Sequence, residues 1–444
     1  MDERIYPSTD KPSITLGVAL HSYLSNLESM EDCWRNLMPT IEDVEKARAE
    51  DISTYFAKIL EDHNLESIAD EQTFDVPLPP AYLFEFPRRL RDIQKLGMYR
   101  KITSTSLFIG MFALYDAFVA ELLQSIFFAR PEIIRSSERS LTLRELRELG
   151  DLNEAEKFII NQEVETVLRG GYDDQFNYMD KKFSVELRKN WAVWPEFVEI
   201  SQRRHLLVHC AGKVTRSYLY VCDKHGVRWP DNSAPQLGSQ LGIDFQYFIR
   251  SIEVVYEVGL KVCQILWRKL FPSDLDIADI QLIQNIYELL VNEQWERAIM
   301  SGSLALSMPR YSSELYKRTL LLNLAQAYKW SGNNDRAIEL LDGDWSACGN
   351  EIQLMLAVIR DDYDTACNIM SKIGTSGQVS ERDYRDWPAF RQFRQSEQFK
   401  STYEAIFGKT IFDSIVEATP EILPIIVSLR IRKRGGIEST ESVE

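Results

Sequence analysis

Apolar residues in this chain recur at three- and four-residue intervals through long runs, and almost nowhere alternate with the two-residue period of a half-buried strand. That periodicity constrains the fold more than any other feature, and it predicts an all-α protein. Helical signals cover 40–62, roughly 88–102, 106–129, 142–170, 174–190, 195–211 and 244–270. In the last of these Phe245, Phe248, Ile252, Val255, Val262 and Ile265 keep close to one face. The stretch SLFIGMFALYDAFVAELLQSIFFA, 106–129, is long enough to span a bilayer. Asp116 and Glu121 near its middle would be costly in lipid, so it reads as the core helix of a soluble protein with no membrane contact.

A chain of 444 residues suggests two to four domains, each able to bury a core without staples. The six cysteines lack paired short spacings, which argues against a disulfide framework and a zinc cage and fits a reducing cytoplasm. The acidic N-terminus MDERIYPSTDKPS does not resemble a secretory signal. A net charge of −16 argues against a broad surface held to nucleic acid by counterion release; an RNA partner would have to enter a local basic cleft.

Segment 64–87, with four prolines in ESIADEQTFDVPLPPAYLFEFP, predicts an extended connection, and 222–243 predicts a loop or small hairpin. The expected boundaries are an N-terminal helical region 1–94, a helical bundle 95–270, helical repeats 276–410 and a C-terminal helix and polar tail 411–444. FPSDLD at 271–276 marks the change of pattern. Beyond it, WERAI, DRAIELL and YDTACNI share a theme around Ala298, Ala337 and Ala366. LLLNLAQAYKWSGNNDRAIELL places Leu321, Leu324, Ala325, Tyr328, Ala337 and Leu341 at the spacings of a tetratricopeptide repeat. The three alanines fall unevenly about that period, so generic helical hairpins remain the alternative. Residues 383–408 would close the array, and the RIRKR cluster beyond would be a solvated tail.

The chemistry concentrates in RRHLLVHCAG, residues 203–212. Phe197, Ile200, Arg204, Leu207 and Ala211 follow a single helical stripe, which sets an arginine where a leucine would be expected. Arg204 on that stripe needs a carboxylate, a partner chain or an anionic ligand. Asp116 in its apolar helix has the converse need, and the two are predicted to meet or to share solvent in one cleft. Gly212 is a plausible helix terminator, leaving His209 in the last turn, where a histidine can act as acid or base. His205, His209 and His225 fall close together with Arg203, Arg204, Lys213 and Arg216, the local concentration of positive charge. His205 and His209 have metal-ligand spacing, but Leu206 stands where a zinc hydrolase would have glutamate and no third ligand follows, so no metal is expected. Glycine-rich phosphate loops, a G-x-S-x-G elbow and C-x-x-C pairs are lacking as well, and no cofactor is expected. Arg204 and His209 point about 140° apart on an ideal helix, since five residues advance roughly 500°. Either the arginine reaches round, or two copies of the motif combine across a two-fold interface, an inference that favours a homodimer.

RHLLVH, residues 204–209, resembles the R-x4-H signature of the HEPN family, helical domains that include metal-independent ribonucleases of bacterial toxin, CRISPR and phage-defence systems. LFIGMFALYDAFVAELLQSIF resembles the family's long first helix, with Asp116 at its acidic position. TLRELRELGDLNEAEKFIINQEVETVLRGGYDDQFNYMDKKF resembles the intervening helices, and RRHLLVHCAGKVTRSYL the motif helix and its exit. The likeness covers about residues 95–270. His205 supplies the polar residue that usually follows the arginine, and Cys210 stands where many relatives have asparagine. The resemblance implies that His209 acts as base or acid on a ribose 2′-hydroxyl and that Arg204 binds the scissile phosphate. It further implies that His205 orients the phosphate, Asp116 supports the site, and Arg203, Lys213 and Arg216 guide RNA. A homodimeric endoribonuclease of toxin or antiphage type is thereby expected, with a possible protein partner on the repeats. The alternative is a catalytically silent scaffold in which both halves only bind.

Overall fold

The computed structural model describes residues 12–62, 84–135, 141–189, 191–229 and 233–418. Among them every regular element is a helix, and the only strand-like pairing is an isolated bridge between Lys213 and Gln240. The protein is all-α. It divides into two units, Met1–Ala278 and Asp279–Glu444.

Unit 1 holds α1 (Pro12–Asp62), α2 (Glu85–Ala129), α3 (Glu132–Arg135), α4 (Leu143–Leu149), α5 (Leu152–Arg169), α6 (Tyr172–Phe183), α7 (Trp194–His209), α8 (Arg216–Lys224) and α9 (Phe245–Leu270). The core helix is α9, whose Phe248, Ile252, Val255, Leu260, Val262, Leu266 and Trp267 are all buried. Helix α1 packs along both α2 and α9, so this helix is part of the same core. Tyr23 of α1 stacks on Phe118 with ring centroids 4.3 Å apart and donates its hydroxyl to the Val255 carbonyl at 2.7 Å, while Trp34 stacks on Phe248 at 4.3 Å. Gly259 permits the α1 contact, because a Cβ there would collide with the Tyr23 ring.

Helix α2 begins well before the apolar run expected at 106. By length and composition it could cross a membrane, yet its apolar face, from Phe108 through Tyr115 and Phe118 to Phe127, is packed inside the unit. The helix read over 142–170 is broken at Gly150, which has φ +90°. Asp151 then caps α5 by accepting from the Asn153 and Glu154 amides at 2.7 and 2.9 Å. The extended connection predicted for 64–87 lies outside the described residues as far as 83, and its last three residues, Glu85–Pro87, are instead the first turn of α2; the tail beyond 418 also lies outside the described residues.

Unit 2 begins inside α10 (Leu275–Val291) and continues with α11 (Trp295–Leu306), α12 (Glu314–Trp330), α13 (Asn334–Leu340), α14 (Asn350–Ile359), α15 (Tyr363–Ile373), α16 (Glu381–Asp386), α17 (Glu397–Phe407) and α18 (Ile411–Ala418). Successive helices pack on one another: α11 on α12, α12 on α13, α14 on α15. Ala325, Ala337 and Leu341 are buried in one cluster, with Leu321 and Tyr328 packed against it. A Cβ on Gly302 would sit 2.9 Å from Leu324, so α11 and α12 approach as closely as their small residues allow. Tyr384, Phe390, Phe393, Phe399 and Tyr403 close the cluster's C-terminal side with stacked and edge-on rings.

Candidate functional site

Helix α7 carries the motif. Trp194, Phe197, Val198 and Ile200 drive its first half into the core, where Phe197 meets Phe112, Tyr115 and Tyr172 of α2 and α6. Past Ile200 the buried face continues through Leu206 rather than along the stripe read from sequence: Leu207 is half-buried, and Ala211 is exposed and outside the helix. The chain leaves α7 through two successive left-handed residues, Ala211 at φ +51° and Gly212 at φ +80°, with the Gly212 amide donating back to the Leu206 carbonyl at 2.9 Å. The exit is tied to 238–241: Gln240 Nε2 donates to the Ala211 carbonyl at 2.6 Å, and the Leu241 amide to the Gly212 carbonyl at 2.9 Å. This fixes the last turn of α7, where His209 sits.

Asp116 and Arg204 lie within electrostatic reach of each other, and both lie within reach of Tyr172. The Tyr172 hydroxyl donates to Asp116 Oδ2 at 3.4 Å, a long bond. Asp116 Oδ1 and Arg204 Nε are both buried without a hydrogen-bond partner among the described residues. Burial pushes the Asp116 carboxyl up to about 6, against the lowering effects of the Tyr172 hydrogen bond and the Arg204 charge. Burial and the neighbouring carboxylate raise the Tyr172 hydroxyl, so it remains a donor. Two buried polar atoms with unused capacity within one small cluster are a place where a polar ligand group or water would be stabilised.

His205 and His209 are exposed one turn apart, with ring centroids 4.7 Å from each other. Partial desolvation, followed by the charges of His209 and Arg204, holds His205 below the ordinary imidazole value. His225 is not part of this group. Its Nδ1 accepts from Trp194 Nε1 at 3.2 Å, which places it at the opposite end of α7, about 22 Å along the axis from His209.

Arg203, expected to face RNA, points inward instead. Its Nε and Nη2 both lie 2.9 Å from Glu199 Oε1, Nη1 donates to the Gly242 carbonyl at 3.2 Å, and the guanidinium stacks 3.7 Å over the Tyr247 ring. Glu199 also accepts from the Tyr218 and Tyr247 hydroxyls, each at 2.6 Å. A buried carboxylate with three donors is satisfied, and it locks α7 to α8 and α9. Glu199 is signalled in the sequence by its i,i+4 spacing to Arg203, whereas Tyr172, directly after Gly170 and Gly171, carries no such signal. Lys213 and Arg216 are exposed on the exit loop and in the first turn of α8.

No family model matches this chain, and no curated protein or solved structure matches it. Among the described residues no group of three or more His, Cys, Asp or Glu side chains is placed to hold a metal ion. The arrangement offers a half-buried guanidinium with unused donor capacity, a carboxyl that titrates near neutrality, and two solvent-facing imidazoles on the same helix.

Proposed function

We propose that the protein is a metal-independent endoribonuclease whose reaction centre is built on Arg204 and His209. The observation that carries this reading is the unpartnered Arg204 Nε, held beside Asp116 and Tyr172 on the helix that exposes His205 and His209. A guanidinium kept short of full satisfaction suits an anionic oxygen that arrives with substrate. In this reading His209 takes the proton of a ribose 2′-hydroxyl as its oxygen attacks the adjacent phosphorus. The 5′-oxygen leaves and takes up a proton, giving a 2′,3′-cyclic phosphate and a 5′-hydroxyl. Arg204 stabilises charge on the non-bridging oxygens, His205 orients the phosphate, and Lys213 and Arg216 guide the strand. The divergence of Arg204 and His209 around α7 favours a homodimer in which each copy completes the other's centre. A cytoplasmic toxin or antiphage role fits such an activity, with the helices of unit 2, read as tetratricopeptide-like pairs, receiving a protein partner.

Cleavage of total RNA in EDTA by the wild type, Arg204→Ala and His209→Ala tests it. Losses of about 10²–10³-fold for the arginine and 10²–10⁴-fold for the histidine are expected, with cyclic phosphate ends from the wild type only. A scaffold is the second reading, favoured by the attraction between Arg204 and Asp116, which a purely structural charge pair would also show. Cleavage that persists unchanged in both variants, or is absent in all three proteins, sinks the nuclease assignment to this site.

A further inference from the structure

The first turns of α2 run beside α1 in a helical hairpin, and their charges are sorted by direction. Arg89 and Arg100 face α1, where Arg89 pairs with Asp51 at 2.7 Å and Arg100 with Glu42 at 2.9 Å. Arg88, Arg91 and Lys95 face the other way. At spacings of three and four residues they occupy one side of α2 through consecutive turns, all three are exposed, and none makes an ion pair or hydrogen bond among the described residues. The same side carries Phe84, 88% exposed, Tyr99, 52% exposed, and Ile102, 59% exposed. Within these turns of α2 the acids are Asp92, half-buried on the flank of this side, and Glu85, which is taken up by Arg89.

In a chain of net charge −16, three adjacent unpaired cations flanked by an exposed aromatic at each end, Phe84 and Tyr99, are a local exception. A helix lying on a membrane separates an apolar face from a charged one. Here the middle turns of the outward face are cationic, while α1 covers the opposite face. Cations that track a backbone, with aromatic rings beside them for bases to stack on, are what single-stranded nucleic acid requires. The outward side continues down the helix through exposed Ser106, Ala113 and Ala117 to Asp116, beside Tyr172 and Arg204. Lys95 and Asp116 stand about 32 Å apart along the axis. That length falls within the reach of the ~4–16 nucleotides such sites cover.

We propose that the outward face of α2 from Phe84 to Ile102 is a rail for the backbone of single-stranded RNA, delivering the strand toward Arg204. The assignment of RNA as the polyanion rests on the ribonuclease reading; the binding surface does not need the chemistry to succeed. The test is fluorescence anisotropy of a labelled, fully 2′-O-methylated 15-nucleotide RNA, which cannot be cleaved, titrated with the full chain in EDTA at several salt concentrations. Wild type is compared with Arg88→Gln/Arg91→Gln/Lys95→Gln and with the corresponding triple glutamate variant, each checked for unchanged helix content. Loss of at least tenfold in affinity by the glutamine variant is expected, more by the glutamate variant, with the log–log salt slope reduced by about 2, or roughly 0.7 per lost phosphate contact. Wild-type affinity in both variants overturns the rail, as does wild-type binding to anionic phosphatidylserine vesicles in preference to the RNA. Rail-dependent binding by a protein that leaves ordinary RNA uncut would retain the rail and refute the nuclease, whereas cutting with binding indifferent to the three cations would do the reverse.

Discussion

Asp116 is the residue whose environment is most at odds with its chemistry. A carboxyl raised to about 6 binds its proton more tightly in the folded protein than in the unfolded chain. Its contribution is therefore unpenalised at low pH, and stability declines as pH rises from the ordinary carboxylate value, near 4, through about 6. Asp116→Asn keeps an acceptor for Tyr172 and removes the ionisation, so the variant should melt above the wild type at pH 7.5 and converge with it near pH 4. Partial exposure of the carboxyl screens the effect, and about 1 kcal/mol is a reasonable size. Thermal melts at the two pH values check this; a variant less stable at both would mean that the Arg204 charge depends on the carboxylate more than burial opposes it. Glu199 shows the opposite solution one helix away. Its three donors leave no capacity for a ligand, and that is why the adjacent Arg203 belongs to the framework while Arg204 is available to chemistry.

At the scale of elements, the exit of α7 determines where His209 is presented. A Cβ on Gly212 would meet the Gln240 side chain and lie 2.8 Å from the Leu241 carbonyl, at a φ of +80°. Gly226 has a similar φ, +69°, with open space around it. Gly226→Ala should therefore cost only the backbone strain, about 1 kcal/mol, and Gly212→Ala about 2–3 kcal/mol, because overpacking is added. Parallel denaturation of the two variants isolates the contact with 240–241, and equal losses would show that this contact is not needed. The terminator was legible, because glycine after an apolar helical run is a strong stop signal. The phase of the helix was less so. Five residues on a nominal stripe misplaced Leu207 and Ala211, since the left-handed Ala211 ends the helix two residues early and the core follows Leu206. Likewise LGDLN at 149–153 holds a glycine stop and an aspartate cap within an otherwise continuous periodic pattern, and periodicity alone ran two helices into one.

For the whole molecule, helical periodicity was enough to read the all-α class, but it could not say that α1 joins the core of unit 1, because that packing depends on contacts such as Tyr23 with Val255, separated by over two hundred residues. Unit 2 is more local: its cluster from Leu322 to Tyr403 is assembled from helices that follow one another in sequence. Local contacts of this kind favour independent and rapid folding. Residues 275–418 alone should give a helical far-ultraviolet spectrum and a cooperative thermal transition, with Gly302→Val lowering the midpoint, because α11 has no space for a larger side chain against Leu324. A broad, non-cooperative melt of the isolated segment would show that it depends on the first 274 residues. A cooperative melt would establish unit 2 as a module that folds without the helices that carry Arg204 and His209, which the proposed division of labour between chemistry and recognition requires.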